Sequence, residues 1–415
     1  MDQAISVTIC LNGAAASTSY VTSFSTGGKI EGNIAISPNR NTRFHDMEIF
    51  LLGDEYTTVN HAKTHRRFLN VQYPIQDHSL PSPRVLEKDQ KYQIPFSFTV
   101  ADHLPMSACD HETAGHAVRK AHLRPPPSFG DAMVAGYGGK LRDDFAPREC
   151  RIVYTIQFNL RRSHLASGQI STIFTDFFKL RIKPSTPAEP YPNQSPIRCI
   201  QDSPFYGKQT ILPGRAKSAL GTLSMAIEEP TSFRLPLHDP TSLISSSIRI
   251  NVVYTAESEP IFPQFRSVGG HLTSTTVFTN TCHTDFPEKK KNSLGRALNY
   301  HVEQFPPFTN SFSSLGWRHE SESNRYSATL LVPVTLPRQN LIPTFHTCLI
   351  SRIYHLHIKV VVKDGAPFEF KIPAHIFARE DPSHLPSYDA TVGLDQDQEI
   401  LLPETSAWLS SDVQP

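Results

Sequence analysis

Charge is scarce in this chain of 415 residues: Asp, Glu, Lys and Arg make up only 19 % of it, and 40 basic residues against 39 acidic ones leave a net charge of +1. That balance excludes a nucleic-acid binder, which needs clustered Lys and Arg to meet phosphate. No run of about 18 apolar residues occurs, so no membrane-spanning helix is expected. Cysteine is dispersed. Cys10, Cys109, Cys150, Cys199, Cys282 and Cys348 contain no CxxC pair and no local cluster, and a reduced, intracellular compartment is expected. Residues 1–13 have no basic n-region, and Ser6 and Thr8 interrupt the apolar residues before an h-region can form; they read as a strand, not as a signal peptide. The sequon at Asn193 then has no bearing. No repeat of 20 to 50 residues shows itself, which argues against propellers and solenoids.

Proline is abundant instead, with 34 residues, or about 8 % against a usual value near 5 %. Frequent Pro and few charged helix formers favour strands and turns. Period-two alternation confirms the bias. Ile30, Ile34 and Ile36 share one face of residues 28–36, with Gly32 a gap in the row, and residues 47–52, 92–100 and 152–160 repeat the pattern. In the last of these, Tyr154, Ile156 and Phe158 alternate with Val153, Thr155 and Gln157. The pattern continues through 169–182, after which Pro184, Pro187, Pro190, Pro192 and Pro196 remove ladder donors.

The length allows about two to three domains, and the Pro-rich stretch divides the chain into a domain over 1–183, a linker over 184–215 and a second all-β domain over 216–380. In that second domain Leu223, Met225 and Ile227 form one strand face, and Ile248, Ile250, Val252 and Tyr254 another. Its longest strand is predicted over 344–363, returning through an Asp364-Gly365 turn into Phe368, Phe370 and Ile372. Residues 381–415 lose the pattern and are expected to be a largely disordered tail. Two β-sandwiches in tandem are the simplest architecture.

Chemical motifs come close and fail. His111-Glu112-Thr113-Ala114-Gly115-His116 resembles a zinc-protease helix, but that motif needs His at i and i+4. The i+5 spacing puts the second ring about 140° from the first, so a solvated loop or short helix without structural metal is expected. Cys109 and His122 leave open only an irregular zinc cluster. Gly136-Tyr137-Gly138-Gly139-Lys140 lacks the Ser or Thr of a phosphate loop, since Leu141 follows. No G-x-S-x-G elbow exists. His355 and His357 share a strand face as a solvated or stacked pair, and Lys289-Lys290-Lys291 reads as a solvated loop, with marginal attraction to an acidic membrane. No catalytic residue, cofactor or metal is expected, and an enzyme is not.

One family resemblance emerges from longer segments. Residues 28–34, 47–53 and 92–98 resemble the N-terminal lobe of arrestin-like proteins, residues 219–227 resemble the opening strand of the C-terminal lobe, and residues 343–356 its long penultimate strand. The fungal α-arrestins, or arrestin-related trafficking adaptors, are most similar, with segments like Leu104-Pro105-Met106-Ser107-Ala108-Cys109-Asp110-His111, then His122-Leu123-Arg124-Pro125-Pro126-Pro127-Ser128-Phe129-Gly130, then Asp143-Asp144-Phe145-Ala146-Pro147. The resemblance covers about residues 1 to 380.

It implies an all-β fold of two tandem immunoglobulin-like β-sandwich lobes. It further implies a cytoplasmic adaptor, recruited peripherally to plasma membrane or endosomes, that links integral membrane cargo (a transporter or receptor) to a WW-domain HECT-type ubiquitin ligase for ubiquitination and endocytosis. WW domains bind PPxY or LPxY. Leu385-Pro386-Ser387-Tyr388 is the one LPxY match, no PPxY occurs, and Pro126-Pro127-Ser128-Phe129 has Phe where Tyr is required. Pro386 favours an extended segment, and Tyr388 would fill an aromatic groove. The alternative is a scaffold of the same fold for vesicle-coat or signalling partners without a ligase.

Overall fold

Alternating Ile, Val, Phe and Thr dictate strands here because a pleated backbone sends neighbouring side chains to opposite faces. The computed structural model describes residues 5–12, 22–134, 144–163, 169–186, 206–211, 220–227, 232–235, 244–287, 298–311, 315–320, 324–336, 341–363 and 365–379. Among the described residues the chain is nearly all β, with one α-helix, His116–His122, and no helix long and apolar enough to cross a membrane.

Two main sheets build the first half, in addition to the short pair Thr42–Arg43 and Val85–Leu86. One has three antiparallel strands in the order Ile5–Leu11, Lys29–Pro38, Tyr92–Thr99. The other has five, in the order Ser23–Phe24, Ile170–Ile182, Cys150–Ser163, Asp46–Val59, Ala62–Tyr73. They share a core in which Ile30, Ile34, Ile36 and Phe96 meet Ile49, Leu51, Ile156 and Phe158. Burying each such side chain is worth roughly 1.5–3 kcal/mol, which is what holds the alternating faces together. The gap at Gly32 has a purpose: a Cβ there would lie 2.7 Å from the Phe96 ring and would also meet the Cys10 carbonyl.

The second half repeats the plan. A five-stranded sheet runs Tyr206–Ile211, Gly221–Ile227, Ile244–Ala256, Arg325–Leu336, Arg318–Glu320. A seven-stranded sheet has the path Ser232–Leu235, Phe368–Ala378, Ile350–Val362, Phe265–Phe278, Asn299–Gln304, with Phe308–Ser311 and Phe345–His346 paired alongside. Between them lies a second core of Leu223, Ile250, Val252, Leu330, Val332, Leu356, Ile358 and Ile372.

Two boundaries differ from the sequence reading. The stretch 184–215 contains the strand Tyr206–Ile211, paired antiparallel with Gly221–Ile227, so any linker ends before it. The strand expected over 344–363 is a short hairpin followed by a long strand: Phe345 pairs with Arg352 and His346 with Ser351, and the chain reverses over 347–350. The described residues up to Arg379 belong to one compact unit. Residues 380–415, including Leu385, Pro386, Ser387 and Tyr388, lie outside the described residues.

Candidate functional site at the junction of the two cores

Segments of each half pack on the core of the other. The loop after residue 143 is folded by Asp144, whose carboxylate accepts hydrogen bonds from the Gly130 N–H at 2.6 Å and the Ala146 N–H at 3.0 Å. This fixes Phe145 in a left-handed backbone conformation, φ 51°, with its ring edge-on to Phe305 at 5.4 Å and packed on the second core. In return the hairpin 345–350 places Phe345, Cys348, Leu349 and Ile350 in the first core, where Phe345 meets Phe129 edge-on at 5.6 Å.

Arg352 lies between these exchanged segments and is completely buried. Its guanidinium donates to the Asp144 carbonyl at 3.1 Å, the Phe145 carbonyl at 3.5 Å, the Thr276 hydroxyl at 2.6 Å and the Tyr354 hydroxyl at 3.3 Å. Only a planar fork of donors can reach four acceptors on three segments at once. The aromatic faces of Tyr354 and Phe129 complete its surroundings, 5.4 and 5.8 Å from the guanidinium carbon.

Around the hairpin tip the polar groups are equally organised. Thr347 Oγ1 accepts from the Ile350 N–H at 2.9 Å and donates to the carboxylate of Glu55, which is 1 % exposed. Burial pushes Glu55 up to about 7, against the opposing effects of the Thr347 hydrogen bond and the nearby Arg66. Arg66 in turn donates to the Ala108 carbonyl and to Asp110, both at 2.7 Å, and so pins the loop that carries Cys109.

Four metal-competent donors converge beside Arg66. The loop that begins at Leu104 closes on the end of the helix through the Leu104 N–H to the Leu123 carbonyl, 2.8 Å, which brings Cys109 and His111 over His122. Cys109 Sγ is 3.5 Å from His111 Nε2 and 3.6 Å from His122 Nδ1, and Cys348 Sγ is 3.9 Å from His122 Nδ1. All four donor atoms fall within 4.8 Å of one another; Cys109, His122 and Cys348 are buried and His111 is partly so. Burial, ahead of the charges of His111, His283 and Arg66, pulls His122 down to about 3 and keeps its ring neutral. Cys282 borders the group without joining it. Its thiol lies 3.8 Å from Arg66 Nη1 and is pulled down, first by a hydrogen bond from Cys348.

The residues singled out in the sequence fare differently. His116 opens the helix and takes no part in the cluster. His111 precedes the helix, and the histidine beside it is His122 at the helix end, with the ring centroids 5.4 Å apart. His357 stacks on His271 at 4.6 Å with the rings nearly parallel. Residues 136–140, Asn193, Lys289, Lys290 and Lys291 lie outside the described residues. Cys348 and Arg352 escaped the sequence reading as site residues; the one available signal for Cys348 was a thiol within a strand-like run, which by itself marks nothing. No family model and no curated protein matches the chain.

Proposed function

We propose that the chain is an arrestin-like adaptor that couples integral membrane cargo, a transporter or receptor, to a WW-domain HECT-type ubiquitin ligase. The observation that supports this reading is the arrangement of sheets: one sheet pair encloses a core in the first half, and a second pair encloses another in the second half. Two immunoglobulin-like sandwiches in that chain order are what the resemblance implies. The exchange of Phe145 and the 345–350 hairpin joins them into one body, which suits a scaffold that must present a continuous surface to its cargo.

Leu385-Pro386-Ser387-Tyr388, past the last described strand Phe368–Ala378, supplies the ligase contact in this reading. A short extended peptide buries little surface, so affinity of roughly micromolar to tens of micromolar follows. Simultaneous engagement of cargo and ligase at a membrane raises it through effective concentration. Titration of WW domains with the intact protein and with Tyr388→Ala tests the mechanism. Loss of binding in the variant, with unchanged melting, supports it. Equal binding by both proteins, or none by either, removes ligase recruitment and leaves the scaffold for vesicle-coat or signalling partners.

A further inference from the structure

We propose that Cys109, His111, His122 and Cys348 form a structural zinc site that ties the 104–123 segment of the first half to the hairpin tip of the second. The inference stands apart from the adaptor reading, because it rests on the donor geometry alone.

Two thiolates and two imidazoles are a ligand set that tetrahedral zinc favours. With Zn–S near 2.3 Å and Zn–N near 2.0–2.1 Å, a tetrahedron sets S···N separations at roughly 3.6 Å. Three of the four sulfur–nitrogen distances, 3.5, 3.6 and 3.9 Å, bracket that value, and all four donors lie within 4.8 Å of one another. The cluster joins segments of both halves: Cys109, His111 and His122 come from one stretch, and Cys348 meets His122 from 226 residues further along the chain.

The protons are arranged for ligation as well. His111 Nδ1 lies 2.9 Å from the Glu112 carbonyl, which can only accept. The ring proton therefore sits on Nδ1, and Nε2 turns its lone pair toward Cys109, the arrangement in which a backbone carbonyl orients a zinc-bound histidine. When zinc binds, each cysteine thiol gives its proton to solvent as the Zn–S bond forms. Two thiolates, two neutral imidazoles and Zn²⁺ then carry no net charge, which is compatible with the burial of the site. Four protein ligands leave no open position, so the role is structural and not catalytic. Arg66 supports the site from outside by holding Ala108 and Asp110 on either side of Cys109.

The test uses the full chain purified under reducing conditions without added metal. Elemental analysis should find one zinc per chain, and anaerobic replacement by cobalt should give the visible d–d bands of a tetrahedral ion together with thiolate-to-metal charge transfer. Cys348→Ser and His122→Ala should each weaken metal binding by about tenfold or more, while Cys282→Ser and His116→Ala should keep it. Because a ligand variant can fail to fold, the cobalt spectrum of the unaltered chain serves as the independent measurement. The proposal is overturned by the absence of both zinc and a tetrahedral cobalt spectrum after anaerobic reconstitution, by metal that survives Cys348→Ser but is lost in Cys282→Ser, or by a Cys282–Cys348 disulfide in place of bound metal.

Discussion

The hydroxyl of Thr347 donates a hydrogen bond to the carboxylate of Glu55 across 292 residues of sequence, inside a junction closed to water. Glu55 comes from the strand Asp46–Val59 of the first half, and Thr347 from the hairpin of the second. Around this carboxyl stand Arg66, Cys282 and the Leu349 backbone, and its charge also bears on Tyr154.

The first prediction concerns pH. Glu55 has its folded value raised from 4.5 to about 7. Below 4.5 the carboxyl is protonated in both states and costs nothing; between 4.5 and 7 only the unfolded state loses its proton, so stability falls as pH rises, and above 7 the loss is complete. A shift of this size corresponds to about 3 kcal/mol. Glu55→Gln should lack that component. Denaturant melts of both proteins from pH 4.5 to 8, at matched zinc, should show the wild type losing stability relative to the variant across this window. Parallel profiles would mean that Glu55 is already ionised at its lower end.

Arg352 supplies the second. Replacing it by Met preserves bulk but leaves the carbonyls of Asp144 and Phe145 without the guanidinium they accept from. Breaking a buried charged hydrogen-bond network of this kind costs about 3–5 kcal/mol. Arg352→Lys should recover only part of the loss, since an ammonium cannot span acceptors on three segments. A loss under about 1 kcal/mol in urea melts of Arg352→Met would show that the network contributes little beyond packing.

Much of the sheet architecture was legible because each half-buried strand writes its face into the sequence. Ile30, Ile34 and Ile36 are fully buried, as are Ile156, Phe158, Leu356 and Ile358. The hairpin at 345–350 was not legible. Its reversal uses Thr347 in place of Gly or Pro, and Thr347 and Ile350 are β-branched residues that strands favour. The strand Tyr206–Ile211 was hidden by the prolines preceding it. At the site, Cys109, His111 and His122 stood close together in sequence, yet only the fold brings Cys348 to them. A helical spacing rule could not find a cluster whose His111 lies on a loop.

Gly32 provides a third prediction. It pairs with Leu11 on one side and Phe96 on the other, in the middle of the three-stranded sheet. Gly32→Ala would press its Cβ on the Phe96 ring and on the Cys10 backbone, which cannot swing aside as a side chain can. Overpacking costs about 1–3 kcal/mol, and a backbone obstacle puts this case near the upper end. Gly115→Ala, at a position with nothing within 4 Å of the new Cβ, should stay within about 0.5 kcal/mol. Equal melting of the two variants would rule out the crowding at Gly32.

The last prediction addresses how strongly the halves hold each other. A specific protease site introduced within 187–205 allows the chain to be cut between Thr186 and the strand Tyr206–Ile211. Four kinds of contact then oppose separation. Phe345, Leu349 and Ile350 remain buried in the first core; at roughly 1.5–3 kcal/mol each they contribute about 5–9 kcal/mol before the entropy of association is subtracted. Arg352 bonds the Asp144–Phe145 backbone, and Thr347 bonds Glu55. At the end of the first half, Thr186 exchanges two hydrogen bonds with Ala378, its N–H to the carbonyl at 2.6 Å and its hydroxyl from the N–H at 2.7 Å. Together these should hold the fragments at micromolar affinity or tighter, about −8 kcal/mol. Size-exclusion chromatography of the cut protein at about 10 µM should therefore give one peak containing both fragments. Arg352→Met should shift it toward two, because the variant removes the hydrogen bonds to the Asp144 and Phe145 carbonyls that cross the junction. Two separate peaks from the cut wild type would show that the exchanged segments fill space without binding the halves together.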